Sequence, residues 1–295
     1  MTATVETGAA TRGAMTFGQR LRAATLQHGP LCAGIDPHRS LVESWGLTYD
    51  LHGLRAFTRA CVEAFGGQVG VVKPQSAFFE VFGSGGIAVL EDAIRDLRAA
   101  GTLVLLDAKR GDIGSTMSAY AAAYLGTSAV APADALTVSP YLGFESVRPA
   151  LDAAAANGRG VFVLALTSNP EGHTVQHARR DDVSVAESMV QGAAAENAAA
   201  LALGDLGSTG LVVGATVGSA VQDLGLDLAS VNGPLLAPGI GAQGGTSDDL
   251  KRVFGDALPN VLPASSREVL SAGPDVTALR AQAARTNDTL SALLQ

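Results

Sequence analysis

Eight short apolar runs, each followed by a stretch with helical spacing, constrain this chain more than any other feature. LCAGID (31–36), QVGVVKP (68–74), TLVLLDAK (102–109), ADALTVSPY (133–141), GVFVLALTSNP (160–170), GLVVGAT (210–216), GPLLAPGIGAQGG (233–245) and NVLPASSR (260–267) read as strands. Most are near-continuously apolar rather than alternating, the pattern of strands covered on both faces. Helices are expected over 17–26 and 54–65, from a glycine-rich turn at Gly83, Gly85 and Gly86 through Ala100, then over 116–125, 144–157, 183–203, 219–224 and 247–254. The last runs from Pro274 towards Leu294. Parallel strands need crossover connections, so about eight β-then-α units predict one (β/α)8 TIM barrel, an α/β fold. An open, doubly wound sheet is the competing arrangement. No break in composition divides the chain. The expected organisation is a floppy polar tail over residues 1–16 and a single barrel domain over 17–295.

Hydrophobic residues make up 47% of the chain and charged residues 16%, enough for a large core and unlike a disordered chain. A net charge of −8 argues against non-specific nucleic-acid binding, which needs a basic face, but leaves room for a small anionic substrate. The two cysteines, Cys32 and Cys61, form neither a disulfide framework nor a CxxC pair, which suits a reducing cytosol. Cys32 reads as a small buried hydrophobe. No apolar run reaches the ~18–20 residues of a membrane span, and the N-terminal MTATVETGAATRGAM has no hydrophobic signal core. A cytoplasmic protein is expected.

Polar residues gather at the C-terminal ends of the runs: Asp36, Lys73, Asp107, Lys109, Ser139, Ser168, Thr216, Gln243 and Arg267. In a barrel those ends converge on one mouth, where barrel active sites lie. Alternation along the third strand points Asp107 and Lys109 the same way. Buried charge is tolerated when paired and hydrogen-bonded, so this stretch alone reads either as a structural ion pair or as chemistry. Lys73 on the neighbouring strand and Asp112 just beyond the third extend it to a row of Lys, Asp, Lys and Asp, which favours chemistry.

Gly239-Ile-Gly-Ala-Gln-Gly244 fits GxGxxG, but a dinucleotide site would need a second nucleotide-binding half that the remaining chain lacks. A phosphate cradle explains the same glycines better: backbone N–H groups approach an anion, and the helix from Ser247 adds its N-terminus. Arg267 offers a bidentate contact to the same anion, and Gln243 is placed to reach over the ligand. His173 and His177 stand four apart, but no further ligand spacing makes them a metal site. Ser115, Ser168 and Ser265 lack the elbow and histidine base of a nucleophilic serine.

DAKRGDIGST (107–116) resembles the signature of the orotidine 5′-phosphate decarboxylase family, in its longer bacterial branch. CAGIDP (32–37), VVKPQSAFFE (71–80), LTSNPEG (166–172) and PGIGAQGG (238–245) match in order, and the likeness covers the chain from about residue 17. Ser139-Pro140-Tyr141 departs from the expected Asn-Pro-Tyr. The resemblance implies a phosphate-binding barrel that decarboxylates orotidine 5′-phosphate to UMP, works as a homodimer and needs no metal or organic cofactor. It also implies roles. Lys109 gives a proton to C6 and Asp107 lies by the departing carboxylate. Lys73 and Asp112 complete the charged row, Asp112 reaching in from the other subunit. Asp36 and Thr116 hold ribose hydroxyls, Thr116 also from the neighbour. Ser168 reads the pyrimidine. Gln243 and Arg267 hold phosphate beside the loop of Gly239, Gly241, Gly244 and Gly245. Two rivals remain: a related Mg²⁺-dependent sugar-phosphate barrel that shares the Asp-x-Lys-x-x-Asp strand, and a barrel that only binds a nucleotide.

Overall fold

The computed structural model describes residues 14–240 and 247–294. Eight parallel strands close on themselves: β1 (Cys32–Ile35), β2 (Val71–Pro74), β3 (Leu103–Arg110), β4 (Ala135–Val138), β5 (Gly160–Leu166), β6 (Thr209–Val213), β7 (Leu235–Pro238) and β8 (Val261–Ser265). β1 pairs with both β2 and β8, which rules out the open sheet. The strands are buried on both faces, as their unbroken apolar runs require. Inside the barrel Cys32, Val71, Leu105, Phe162, Val212, Leu236 and Leu262 pack together. The first helix, Phe17–His28, plugs the N-terminal end. Thr16 caps it through a capping box with Gln19, and Phe17 meets Phe162 edge-on at 6.1 Å. Phe17 lies where Gly160 leaves room, because a Cβ at Gly160 would come within 2.3 Å of its ring. A second, larger core fills the space between strands and outer helices. No described helix is long and apolar enough to cross a membrane.

Several local expectations change. Gly83, Gly85 and Gly86 are not a turn before a helix; they are the first turn of helix Gly83–Ala99. A Cβ at Gly86 would lie 2.0 Å from the Phe79 carbonyl, so glycine here serves close packing. The polar segment after β1 holds a short helix, Arg39–Ser44, and the next helix starts at Leu51 behind an Asp50 cap. The long helix expected over 183–203 is preceded by a small hairpin pairing Arg179–Arg180 with Val183–Ser184, and runs from Val185 to Ala202. Strands at the mouth end earlier than their apolar runs suggest: β4 stops before Ser139-Pro140, and β5 before Thr167.

Candidate active site

The mouth is organised by one carboxylate. Asp107, on β3, is 5% exposed and accepts four hydrogen bonds. Oδ1 takes Lys109 Nζ at 2.6 Å and Thr137 Oγ1 at 2.9 Å; Oδ2 takes Lys73 Nζ at 2.9 Å and Gln75 Nε2 at 3.1 Å. A carboxylate has about four lone-pair sites, so protein donors from β2, β3, β4 and the loop after β2 fill it completely. Burial alone would raise the Asp107 pKa, but the flanking Lys73 and Lys109 ammonium groups outweigh it and hold the carboxyl far below the usual range. Burial likewise works against the Lys73 ammonium, yet Asp36 and Asp107 overcome it and keep Lys73 above the ordinary lysine range. Asp107 and Lys73 are therefore both charged at neutral pH. Beneath it, burial pushes the Cys32 thiol up to about 12, so it remains an inert core group.

The pairing of Asp107 with Lys109 does not arise from plain strand alternation. Leu106 pairs with Leu136 and Arg110 with Val138, so Asp107, Ala108 and Lys109 stand opposite Thr137 alone. This is a bulge, a device that re-aims side chains beside active sites. Lys109 takes φ +47°, a left-handed conformation uncommon for a side chain of its kind. Its side chain is 43% exposed, while Lys73 is buried; of the two, Lys109 is the one that faces the mouth.

The other expected residues separate into groups. Asp36, just past β1, is half-buried, and its Oδ1 is buried with no hydrogen-bond partner among the described residues. Asp112 does not join the row within its own chain: its Oδ1 accepts the Ile113 N–H at 2.8 Å, and among the described residues it forms no ion pair. Thr116 is exposed on helix Gly114–Leu125, and Ser168 is exposed beside Gly214 at the mouth. Arg267 is not the end of β8; it is exposed and opens the short helix Arg267–Leu270, two residues beyond the strand. Gly239 follows β7 with φ +96°, a backbone suited to glycine. Gln243, Gly241, Gly244 and Gly245 lie outside the described residues. His173, on the short helix Gly172–Gln176, and His177, which caps that helix, lie with tilted rings 3.9 Å apart, and no group of three or more potential metal ligands occurs among the described residues.

Sequence reasoning missed Gln75 and Thr137. Their signal was faint: an amide directly after Lys73-Pro74, and one hydroxyl in the otherwise apolar Ala-Leu-Thr-Val. It also missed Arg110, which reaches Glu80 at 2.6 Å and the Tyr124 hydroxyl at 3.3 Å while Ser76 donates to the same Glu80 oxygen. This links the loop after β2 to the helix after β3, around the base of Lys109.

A protein from Salinispora arenicola named orotidine 5′-phosphate decarboxylase is 61% identical over 271 residues, 92% of this chain and 95% of that one. One of the same name from Streptomyces coelicolor is 60% identical, with 91% and 95% covered. A solved structure from Streptomyces avermitilis assigned to the same enzyme superposes with a TM-score of 0.90 at 55% identity, covering 97% of this chain and 99% of that one. Residues 29–282 match the family profile as a continuous span, and the chain belongs to the Orotidine 5′-phosphate decarboxylase / HUMPS family.

Proposed function

We propose that this chain decarboxylates orotidine 5′-phosphate to UMP and CO₂, the last step of de novo UMP synthesis, and that residues 17–295 act as one catalytic domain. The observation that carries the reading is the charged row: a fully bonded Asp107 holding Lys73 on one side and the half-exposed Lys109 on the other. Cleavage of the C6–carboxylate bond leaves its electron pair in the plane of the pyrimidine ring, where the π system cannot delocalise it. An oriented cation beside C6 stabilises that pair as it forms and costs no reorganisation. Lys109 supplies the cation, then transfers a proton from Nζ to C6 and recovers one from solvent. Asp107 keeps the ammonium aimed and meets the substrate carboxylate with like charge. Asp36 holds a ribose hydroxyl with its unpartnered oxygen. Ser168 reads the pyrimidine. Arg267 and Gln243 hold the phosphate with Gly239, Gly241, Gly244 and Gly245. Binding energy gathered at the remote phosphate is then available to offset desolvation at the reacting carbon.

Asp112 and Thr116 serve the site of a second subunit, so the working unit is a homodimer. Two observations favour this: among the described residues Asp112 pairs with no cation of its own chain, and Val81, Ile113, Tyr141 and Leu142 are exposed apolar side chains in the segments that follow β2, β3 and β4. A biosynthetic role and free, buried cysteines fit a cytoplasmic enzyme. No metal or organic cofactor is required. The rival Mg²⁺-dependent sugar-phosphate chemistry would need a free carboxylate oxygen on β3, whereas the four donors on Asp107 leave no lone pair for a cation.

Absorbance of orotidine 5′-phosphate measured with purified protein, with and without excess chelator, tests this directly. We expect the absorbance to fall at the same rate in both; no fall, or a fall abolished by chelator, overturns the proposal. Mixing Lys109→Ala and Asp112→Ala subunits under exchanging conditions is expected to restore part of the activity, and absence of any recovery contradicts the shared site.

A further inference from the structure

We infer that Thr137 is a positioning residue for the decarboxylation, holding Lys109 by both of its ends; the inference rests on the function proposed above. Thr137 lies on β4, fully buried between Leu136 and Val138, opposite the bulge in β3. A bulge leaves main-chain groups outside the strand ladder. Here the N–H groups of Ala108 and Lys109 both turn to one acceptor, Thr137 Oγ1, at 3.1 and 3.0 Å. That hydroxyl donates in turn to Asp107 Oδ1 at 2.9 Å. The directions are forced: amides only donate and an ionised carboxylate only accepts, so the hydroxyl proton must point at Asp107. One donor and two lone pairs are all a hydroxyl has, and all three are used.

The oxygen that Thr137 reaches is the one that receives the Lys109 ammonium at 2.6 Å. One side chain thus fixes Lys109 at its main-chain N–H and, through Asp107 Oδ1, at its Nζ. The Lys109 backbone sits in a left-handed conformation, which persists only when the surroundings over-determine it. Thr137 is the group that does so. Threonine suits the task because branching at Cβ restricts χ1, so the hydroxyl is held rather than free to rotate away. A group that merely satisfied the bulge would have no need to reach Asp107 Oδ1, and its loss would disturb binding and stability together. A group that aims Lys109 affects the chemical step beyond binding, since small misplacements of a reacting group are costly.

The test compares wild type, Thr137→Ser and Thr137→Val for kcat and KM on orotidine 5′-phosphate, for UMP affinity and for Tm. We expect Thr137→Ser to stay within about threefold of wild type in every measure, since it keeps the three bonds. We expect Thr137→Val to lose about a hundredfold in kcat, with KM and UMP affinity within about threefold of wild type. Wild-type kcat in Thr137→Val overturns the inference while leaving the proposed function standing. A parallel loss of kcat, UMP affinity and Tm in Thr137→Val, or a Thr137→Ser variant as impaired as Thr137→Val, also overturns it by showing a structural role alone. If Thr137→Val fails to fold, the serine variant decides: wild-type kcat supports the inference and a hundredfold loss overturns it. Wild-type protein that leaves orotidine 5′-phosphate unchanged overturns the function itself, and this inference with it.

Discussion

Two buried aspartates sit at opposite ends of the barrel, and each holds two cations. At the mouth, Asp107 binds Lys73 and Lys109. At the N-terminal end, Asp134, 2% exposed and just ahead of β4, binds Arg20 at 2.7 Å and Arg98 at 3.2 Å, and accepts the Val104 N–H at 3.0 Å. Both carboxylates are well satisfied, so burial and pairing alone do not tell function from structure. The cations do. Guanidinium groups stay charged and present a rigid fork, which suits them to tying elements together. Arg20 also donates to the Gly158 carbonyl, joining the first helix to the segment before β5, and Arg98 brings in helix Gly83–Ala99. Ammonium groups can give up a proton, and the Lys109 side chain is nearly half exposed at the mouth. At the N-terminal end, where barrel residues serve stability, the Asp134 pairs tie elements together, whereas the proposed chemistry lies with the Asp107 pairs at the mouth.

Replacing one member at each end separates the two uses. Lys109→Ala should reduce turnover of orotidine 5′-phosphate by about four orders of magnitude or more, since both a preorganised cation and an acid are lost. Its Tm should remain within a few degrees of wild type, because the Lys109 side chain is nearly half exposed. A large fall in Tm with turnover retained would reverse the assignment of the two ends. Asp134→Ala should do the opposite. It leaves Arg20 and Arg98 without their counter-charge and should cost about 2–3 kcal/mol in denaturant unfolding, less than a fully buried pair because both arginines are about a third exposed. Its kcat, measured well below the unfolding transition, should match wild type.

The pH dependence of stability sharpens the same contrast. Asp107 is held below the ordinary carboxylate range, chiefly by Lys73 and Lys109 working against burial, so its stabilising share is complete above the unfolded carboxylate's titration and is lost as pH falls through its own lowered value. Lys73 is held above the ordinary lysine range, so its share is complete below the unfolded lysine's titration and is lost as pH rises through its elevated value. Between about pH 5 and 9 neither group titrates. The Tm gap between wild type and Asp107→Asn should therefore be flat across that window and should narrow below about pH 4. A gap that changes steadily between pH 6 and 8 would contradict the charged row.

The alternation of apolar runs and helical spacings made the barrel legible, because parallel strands covered on both faces admit few other connections. The charges at strand ends made Lys73, Asp107 and Lys109 legible, because burial of charge demands an explanation. The bulge was not legible. Period-two alternation brings Asp107 and Lys109 to the same side on paper, and nothing in LLDAKR announces that three residues will face one. Thr137 was hidden for a related reason: a β-branched residue in a strand reads as an ordinary strand former, and its hydroxyl gains meaning only opposite the bulge. Arg267 was misplaced by one element because nothing in Ser265-Ser266-Arg267 marks where the strand stops and the short helix begins. Gly83 to Gly86 were read as a turn because glycine's usual role is conformational, whereas Gly86 is there for contact with the Phe79 carbonyl.

The comparison of the two ends reduces to whether the mouth needs an acid or only a cation, and Lys109→Arg asks this most directly. Arginine keeps the positive charge opposite Asp107 but does not release a proton at accessible pH. If Lys109 is the proton donor, the variant should fold with a Tm within about 3 °C of wild type, an effect below ~1 kcal/mol, and should lose at least about a hundredfold in kcat on orotidine 5′-phosphate. Turnover close to wild type would mean that charge alone suffices, and would contradict the assignment of Lys109 as the acid.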